Sequence, residues 1–307
     1  MEELLNNMFI YGDILILGNK GTGKTNALMC LAEQIRQDSK TKLVIIETFP
    51  KWINEFNKIP CLIIYNEDVV NVKKRRYYSK YYYVPESQIY NKYDLFKRVI
   101  VNDTSEVWIQ RGTEIENFIE QNKNVLFTLY IENLEKNVQF TYAVISYYYK
   151  KAIEKKLQGL EPDNVVFVID ETQNLFDYSL LGRKNLNSLR KIYNEARNLN
   201  IHFIMCTQRL QDISTKIRGR TLLLIGKVNM DDWKLKVEKI CKNSTHKNEI
   251  LHLQVGQFLD LEQDRIIQFD KFNQKNKPYI WQTNRIILLP KEEKREGLLT
   301  KIWKWLK

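Results

Sequence analysis

Residues Gly18 to Thr25 read Gly-Asn-Lys-Gly-Thr-Gly-Lys-Thr, while Asp170-Glu171 and Gln208-Arg209 each close an apolar run far along the chain. Glycines at 18, 21 and 23 let successive backbone N–H groups converge on phosphate oxygens, and the positive end of a following helix adds its dipole. Lys24 is placed to reach β- and γ-phosphates, and the Thr25 hydroxyl is a hard oxygen ligand suited to Mg²⁺. Gly18, Asn19, Lys20, Gly21, Thr22, Gly23, Lys24, Thr25 and the adjoining Asn26 therefore predict a Walker A phosphate loop, with ATP and Mg²⁺ as its ligands. Asp170 fits Walker B, a carboxylate at a strand terminus that holds Mg²⁺ through water or Thr25. Glu171 beside it points to hydrolysis, because a second carboxylate there can orient and deprotonate an attacking water. Gln208 ends a strand expected next to the Walker strands, where its amide can sense the γ-phosphate or that water.

These groups work only if the chain delivers them to one edge of a sheet. Ile14 to Leu17 supplies an apolar strand before the loop, and Ala27, Leu28, Leu31, Ala32 and Ile35 recur at helical spacing after it. Strand-like runs follow at Leu43–Ile46, Cys61–Tyr65 and 125–130, with a short helix over Trp52–Asn57. A long helix carries Val138, Tyr142, Ile145, Tyr149 and Ile153 on one face and stops at Gly159 and Pro162. Val165 to Ile169 is continuously apolar and β-branched, as a parallel strand buried on both faces should be. A helix through Leu186, Leu189, Ile192, Tyr193, Ala196 and Leu199 then leads to the strand His202–Thr207, and Thr221–Ile225 reads as one more. The alternation predicts an α/β fold: a RecA-like P-loop NTPase with a mainly parallel sheet, flanking helices and ligands at the carboxyl ends of the strands.

The expected organisation is a core in two parts, 1–65 and 125–290, with an insertion at 66–124 and a basic, Trp-containing tail at 291–307. Within the insertion, Val99–Val101 and Val107–Ile109 suggest a hairpin, and Thr113 with Glu116 a capping box. Val72 to Tyr83 interleaves Lys73, Lys74, Arg75, Arg76 and Lys80 with tyrosines, which suits phosphate neutralisation and base stacking or, equally, a solvated loop feeding an edge strand. The tail Leu298 to Lys307 suits a membrane surface, a partner or the chain's own core, with docking on its own or a neighbouring subunit preferred.

The stretch Ala196-Arg197-Asn198-Leu199-Asn200-Ile201-His202-Phe203-Ile204-Met205-Cys206-Thr207-Gln208-Arg209 resembles the segment through the Thr-Gln-Arg sensor of the FtsK/HerA superfamily of DNA-pumping ATPases. With the two Walker motifs, the resemblance covers about half the chain, Gly12 to about Ile45 and Val165 to about Val228, with a weaker echo at Leu253–Leu259. It departs from the family at Leu210, where relatives usually carry Pro, and matches nothing over 66–124. The resemblance implies a homo-hexameric ring that threads double-stranded DNA, each site completed by a neighbour's arginine. Arg197 is the first choice for that finger by its place in the stretch, and Arg209, Arg218 and Arg220 are the alternatives. Arg183, Arg190 and Arg197 recur every seven residues, but a solvated basic stripe accounts for the first two.

Composition narrows the partners. The net charge of +11 favours a polyanion, with nucleic acid first. Cys30, Cys61, Cys206 and Cys241 lie far apart, and His202, His246 and His252 lack metal-ligand spacing, so no disulfide framework or zinc site is indicated. No apolar run is long enough for a membrane span, and Met1 to Asp13 has no basic leader region, which predicts a soluble, cytoplasmic protein, of a host cell if viral. Among superfamily members this favours a compact motor such as those that package viral genomes, with a capsid, a membrane-associated protein or a nuclease as further partners. The alternatives are an assembly or secretion ATPase, including the filamentous-phage assembly ATPases, and a P-loop small-molecule kinase; Glu171 with Gln208 argues against the kinase.

Overall fold

The computed structural model describes residues 2–47, 52, 59, 61–66, 119–130, 134–176, 178–208, 221–238, 240–241, 245–272 and 285–289. Chain contacts divide it into two compact units, 1–43 with 144–273 and 44–143 with 274–307.

The first unit carries the predicted phosphate loop. Its parallel strands are β1 (Asp13–Leu17), β5 (Asn164–Ile169), β6 (Ile201–Thr207) and β7 (Thr221–Gly226). They stand in the order β5, β6, β1, β7, so β6 lies between the strand that feeds the loop and the strand that ends in Asp170. This unit also contains the antiparallel pair β8 (Gln257–Asp260) and β9 (Arg265–Gln268), with β8 added antiparallel to β7. Continuous apolar runs have nowhere to sit but a doubly covered sheet, and β1, β6 and β7 are buried at every position.

Helix α2 (Lys24–Gln37) follows the loop and buries Ala27, Leu28, Leu31, Ala32 and Ile35, the face that its 3.6-residue spacing predicts. Each fully buried leucine or isoleucine on that face contributes about 1.5–3 kcal/mol. Phe167 of β5 and Phe203 of β6 stack at 5.4 Å between ring centroids. Tyr148 meets Phe167 edge-on from the helix Leu134–Leu157, and Tyr193 meets Phe203 from the helix Tyr178–Ala196. This aromatic ladder ties both helices to the strands that must present Asp170 and Gln208. Gly182, with φ 74° and ψ 158°, breaks the second helix near its start.

The amino-terminal helix α1 (Glu2–Tyr11), for which the sequence offered no signal, packs at the amino end of the strands. Phe9 sets its ring edge-on to His202, at 5.0 Å and 88°. His202 is 4% exposed, and burial, reinforced by the charge of Arg197, holds its imidazole down at about 4. Below the unfolded value of about 6.5, the unfolded chain takes up a proton that the folded chain refuses, so this contribution is intact above pH 6.5 and lost as pH falls towards 4. The loss approaches about 3 kcal/mol. Urea unfolding of the wild type should weaken between pH 7 and pH 4.5 by more than that of His202→Phe; parallel pH profiles would refute the assignment.

The second unit is a parallel set in the order β10 (Arg285–Leu289), β3 (Cys61–Asn66), β4 (Val125–Tyr130), β2 (Thr41–Glu47), the last entering from the first unit. Strands β2, β3 and β4 cover the predicted runs, whereas β10 was not foreseen. Buried Glu47 accepts a hydrogen bond from the Trp52 backbone N–H at 2.6 Å, and Trp52 is helical, as expected. The rest of the Trp52–Asn57 helix, the hairpin at 99–109, the capping box, the Lys/Tyr segment 72–83 and the tail 291–307 lie outside the described residues, as do Arg209, Arg218 and Arg220. No described helix is long and apolar enough to cross a membrane.

Candidate active site

The loop leaves β1 at Leu17 and closes on itself before α2 begins. Thr22 donates through its hydroxyl to the Asn19 carbonyl at 2.9 Å, and the Asn19 N–H is held by the Lys227 carbonyl at 3.2 Å. Gly23 sits at φ 93°, a left-handed conformation that glycine adopts without penalty. The Thr22 carbonyl accepts from Gly256 N–H at 3.0 Å, and the Phe269 N–H donates to the Gly256 carbonyl at 2.9 Å. The segment weakly echoed at Leu253–Leu259 is thus the backing wall of the phosphate loop.

Lys24 is buried, and its ammonium donates to the carbonyls of Gly18 at 2.9 Å and Asn19 at 2.8 Å, so the cation already lies inside the loop. Asn26 lies in the first turn of α2, and its side chain bonds the segment after β9. Its amide donates to the Asp270 carbonyl at 2.8 Å and its oxygen accepts from Phe272 N–H at 2.7 Å, clamping the chain after β9 against the helix. The Asn26 side chain is thus committed to a structural clamp. Lys20 lies in the exposed tip of the loop.

From β5, two strands away, comes the acid pair. Thr25 donates through its hydroxyl to Asp170 Oδ2 at 2.9 Å, so the two groups assigned to Mg²⁺ meet although 145 positions separate them. The paired hard oxygens of Thr25 and Asp170 fit Mg²⁺, a cation that takes oxygen ligands and keeps several waters. The other oxygen, Oδ1, accepts from Glu171 N–H at 2.9 Å and lies against the Cys206 thiol, its second donor.

Glu171 adopts φ 53° and ψ 46°. For a residue with a β-carbon, that conformation costs about 1–2 kcal/mol and is kept where the surroundings impose it. It turns the side chain out of the strand direction and into solvent reach at the strand end. Partial burial, and then the charge of Asp170, push its carboxyl above the ordinary glutamate value, with Lys24 opposing. A carboxylate made more basic is the better proton acceptor.

Gln208 follows directly on β6, half-buried, at the same carboxyl edge as Thr25 and Asp170. Just before it, Thr207 donates to the Gln173 side-chain oxygen at 3.0 Å and so couples the strand to the turn after Asp170. Sequence reasoning gave no contact role to Gln173, Thr207, Cys206 or Gly256, because their contacts join distant segments.

Arg197 stands apart. It occupies the 3-10 turn Arg197–Leu199 that precedes β6, at the amino edge of the strands, and its guanidinium donates to the Ile10 carbonyl at the end of α1. The seven residues of β6 separate it from Gln208 by about 20 Å at the usual rise per residue. Arg197 cannot serve the site of its own chain.

The loop, its strand and helix, and the placement of β6 between the two Walker strands define a RecA-like P-loop NTPase fold. Residues 107–225 match the family model described as Zonular occludens toxin (Zot), a P-loop ATPase family related to FtsK/HerA. Among solved structures, VirB4 of Thermoanaerobacter pseudethanolicus aligns at a TM-score of 0.50 with 12% identity, covering 84% of this chain and 89% of that one. B204, the DNA-packaging ATPase of Sulfolobus Turreted Icosahedral Virus, aligns at 0.44 with 17% identity over 83% and 95%. The bacterial conjugative coupling protein TrwB aligns at 0.46 with 11% identity over 87% of each. At such identities these structures speak to fold alone. No curated protein sequence matches the chain.

Proposed function

We propose that the protein is an ATP-hydrolysing motor that moves double-stranded DNA as a homo-hexameric ring, in viral genome packaging or a related transfer of DNA. The observation that carries hydrolysis is the convergence of Lys24, Thr25, Asp170 and Glu171 at one strand edge with Gln208 beside them. Gly18–Asn26 would receive the triphosphate, and Thr25 and Asp170 would hold Mg²⁺, which when bound would supply charge neutralisation on the phosphates. The Thr25 hydroxyl donates its hydrogen bond to Asp170, which leaves the hydroxyl lone pairs free for a metal. Glu171 takes a proton from the attacking water, and Gln208 orients that water or senses the γ-phosphate.

The DNA part rests on the charge of +11 and on the sensor-strand resemblance. It is tested by adding double-stranded DNA to the purified protein: turnover should rise, and the rise should fade steeply with salt, because phosphate contacts release counterions. Turnover indifferent to DNA at low salt would turn the reading to an assembly or secretion ATPase.

A ring also needs a finger from the neighbouring subunit. Arg197→Ala subunits, inactive alone, should regain hydrolysis when mixed with Glu171→Gln subunits, because some interfaces then combine an intact base with an intact arginine. Arg197 also holds the end of α1, so unaltered nucleotide binding by Arg197→Ala is the folding control. Full activity of that variant by itself would pass the role to Arg209, Arg218 or Arg220.

A further inference from the structure

We propose that Cys206 is a positioning residue for the metal-shell carboxylate: its buried thiol, donating to Asp170 Oδ1, fixes the carboxylate so that Oδ2 faces the Thr25 hydroxyl. The inference rests on the assignment of Asp170 and Thr25 to Mg²⁺ and adds a residue from β6, the strand between β5 and β1, to that site.

An aspartate carboxylate turns about its last torsion in a broad, two-fold potential, so neither oxygen is assigned a direction unless neighbours assign it. Here the two oxygens have distinct partners. Oδ2 receives the Thr25 hydroxyl, whereas Oδ1 receives Glu171 N–H from the strained turn and the thiol from β6. β5 and β6 pair in register through Ile169 and Met205, so the next position on each strand brings Asp170 and Cys206 side by side. On its other flank, Cys206 registers with Ile16 of β1 and is 1% exposed.

A carboxylate only accepts, so the thiol is the donor in this pair. Cysteine packs like a small hydrophobe and yet carries one weak hydrogen, a combination that a strand buried at every position can accommodate. Valine or alanine here would preserve an apolar core and leave Oδ1 with the Glu171 N–H alone. Serine would keep a donor on the same side chain framework.

Outer partners of metal ligands typically tune metal affinity by 10–100-fold, and because a thiol is a weak donor we expect about 3- to 10-fold weaker Mg²⁺ binding without it. The test titrates Mg²⁺ into the full-length protein with a fluorescent, non-hydrolysable ATP analogue, alongside the analogue's affinity in EDTA and thermal melting. Cys206→Val and Cys206→Ala should raise the Mg²⁺ midpoint while the metal-free nucleotide affinity stays at the wild-type value, and Cys206→Ser should restore the midpoint. Two non-donating variants of different volume separate the lost hydrogen bond from a packing defect. Wild-type Mg²⁺ midpoints in both variants, or a serine variant as impaired as they are, would overturn the proposal. Asp170→Asn is the control: if it leaves the Mg²⁺ midpoint unmoved, the metal-shell reading falls and takes the proposal with it. A normal loss in Asp170→Asn beside an unaffected Cys206→Val defeats the proposal alone.

Discussion

Glu171→Gln should bind ATP as tightly as the wild type and turn it over at least about 10²–10³-fold more slowly, whereas Lys24→Ala should lose binding and turnover together. The contrast follows from where the two side chains lie. Lys24 is buried in the loop, its ammonium on the carbonyls of Gly18 and Asn19, and a triphosphate would meet that charge on arrival. Glu171 is held at the strand end by a left-handed turn, reaches solvent, and makes its contribution after nucleotide is bound. Its amide analogue keeps the shape and the backbone bond to Asp170 but cannot accept a proton. Equilibrium nucleotide titration with single-turnover hydrolysis measures both halves, and wild-type turnover in Glu171→Gln would move the base to another group.

The second large effect is expected at Gly23. A β-carbon there would lie 3.1 Å from the Gly256 nitrogen and 3.2 Å from its α-carbon, both backbone atoms with little freedom to yield. Gly23→Ala therefore combines left-handed strain of about 1–2 kcal/mol with displacement of the wall behind the loop. The Gly256 bond to the Thr22 carbonyl should weaken with it, and nucleotide affinity should drop by about 100-fold or more, an effect of about 3 kcal/mol. Gly21 provides the comparison, because it too has positive φ, 84°, but nothing lies within 4 Å of its added β-carbon. Gly21→Ala carries the strain alone and should lose roughly tenfold. Equal losses in the two variants would mean that Gly256 gives way without consequence.

Much of this architecture is legible in the chain because its signals are local. Glycine spacing, an apolar strand before it and a 3.6-residue stripe after it act over a few tens of residues, and the observed β1, loop and α2 follow them. The runs that became β2 to β7 and the stops at Gly159 and Pro162 are likewise local. So is the acid pair at the end of β5, whose continuous β-branched run permits little but a strand buried on both faces.

Other features had no local signature. Helix α1 and the short β8 and β9 have weak periodicity, with β9 alternating only between half-buried and exposed positions. β10 is defined by pairing with β3, more than two hundred positions away. Tertiary structure alone made the Asn26 side chain a clamp, set Gly256 behind the loop, and put Arg197 at the edge opposite Gln208 of its own chain.

The sequence by itself nominated the groups proposed for the chemistry: Lys24 and Thr25 at the start of the helix after the glycine loop, and Asp170, Glu171 and Gln208 just past strand ends. Tertiary structure decided their mutual geometry. The order β5, β6, β1 brings Asp170, Cys206 and Thr25 to one edge, where Asp170 Oδ2 faces the Thr25 hydroxyl and Oδ1 faces Cys206. The physical reason is the reach of each interaction: periodicity and turn preference are set within a few residues, whereas hydrogen bonds between strands exist only once the sheet has closed around them.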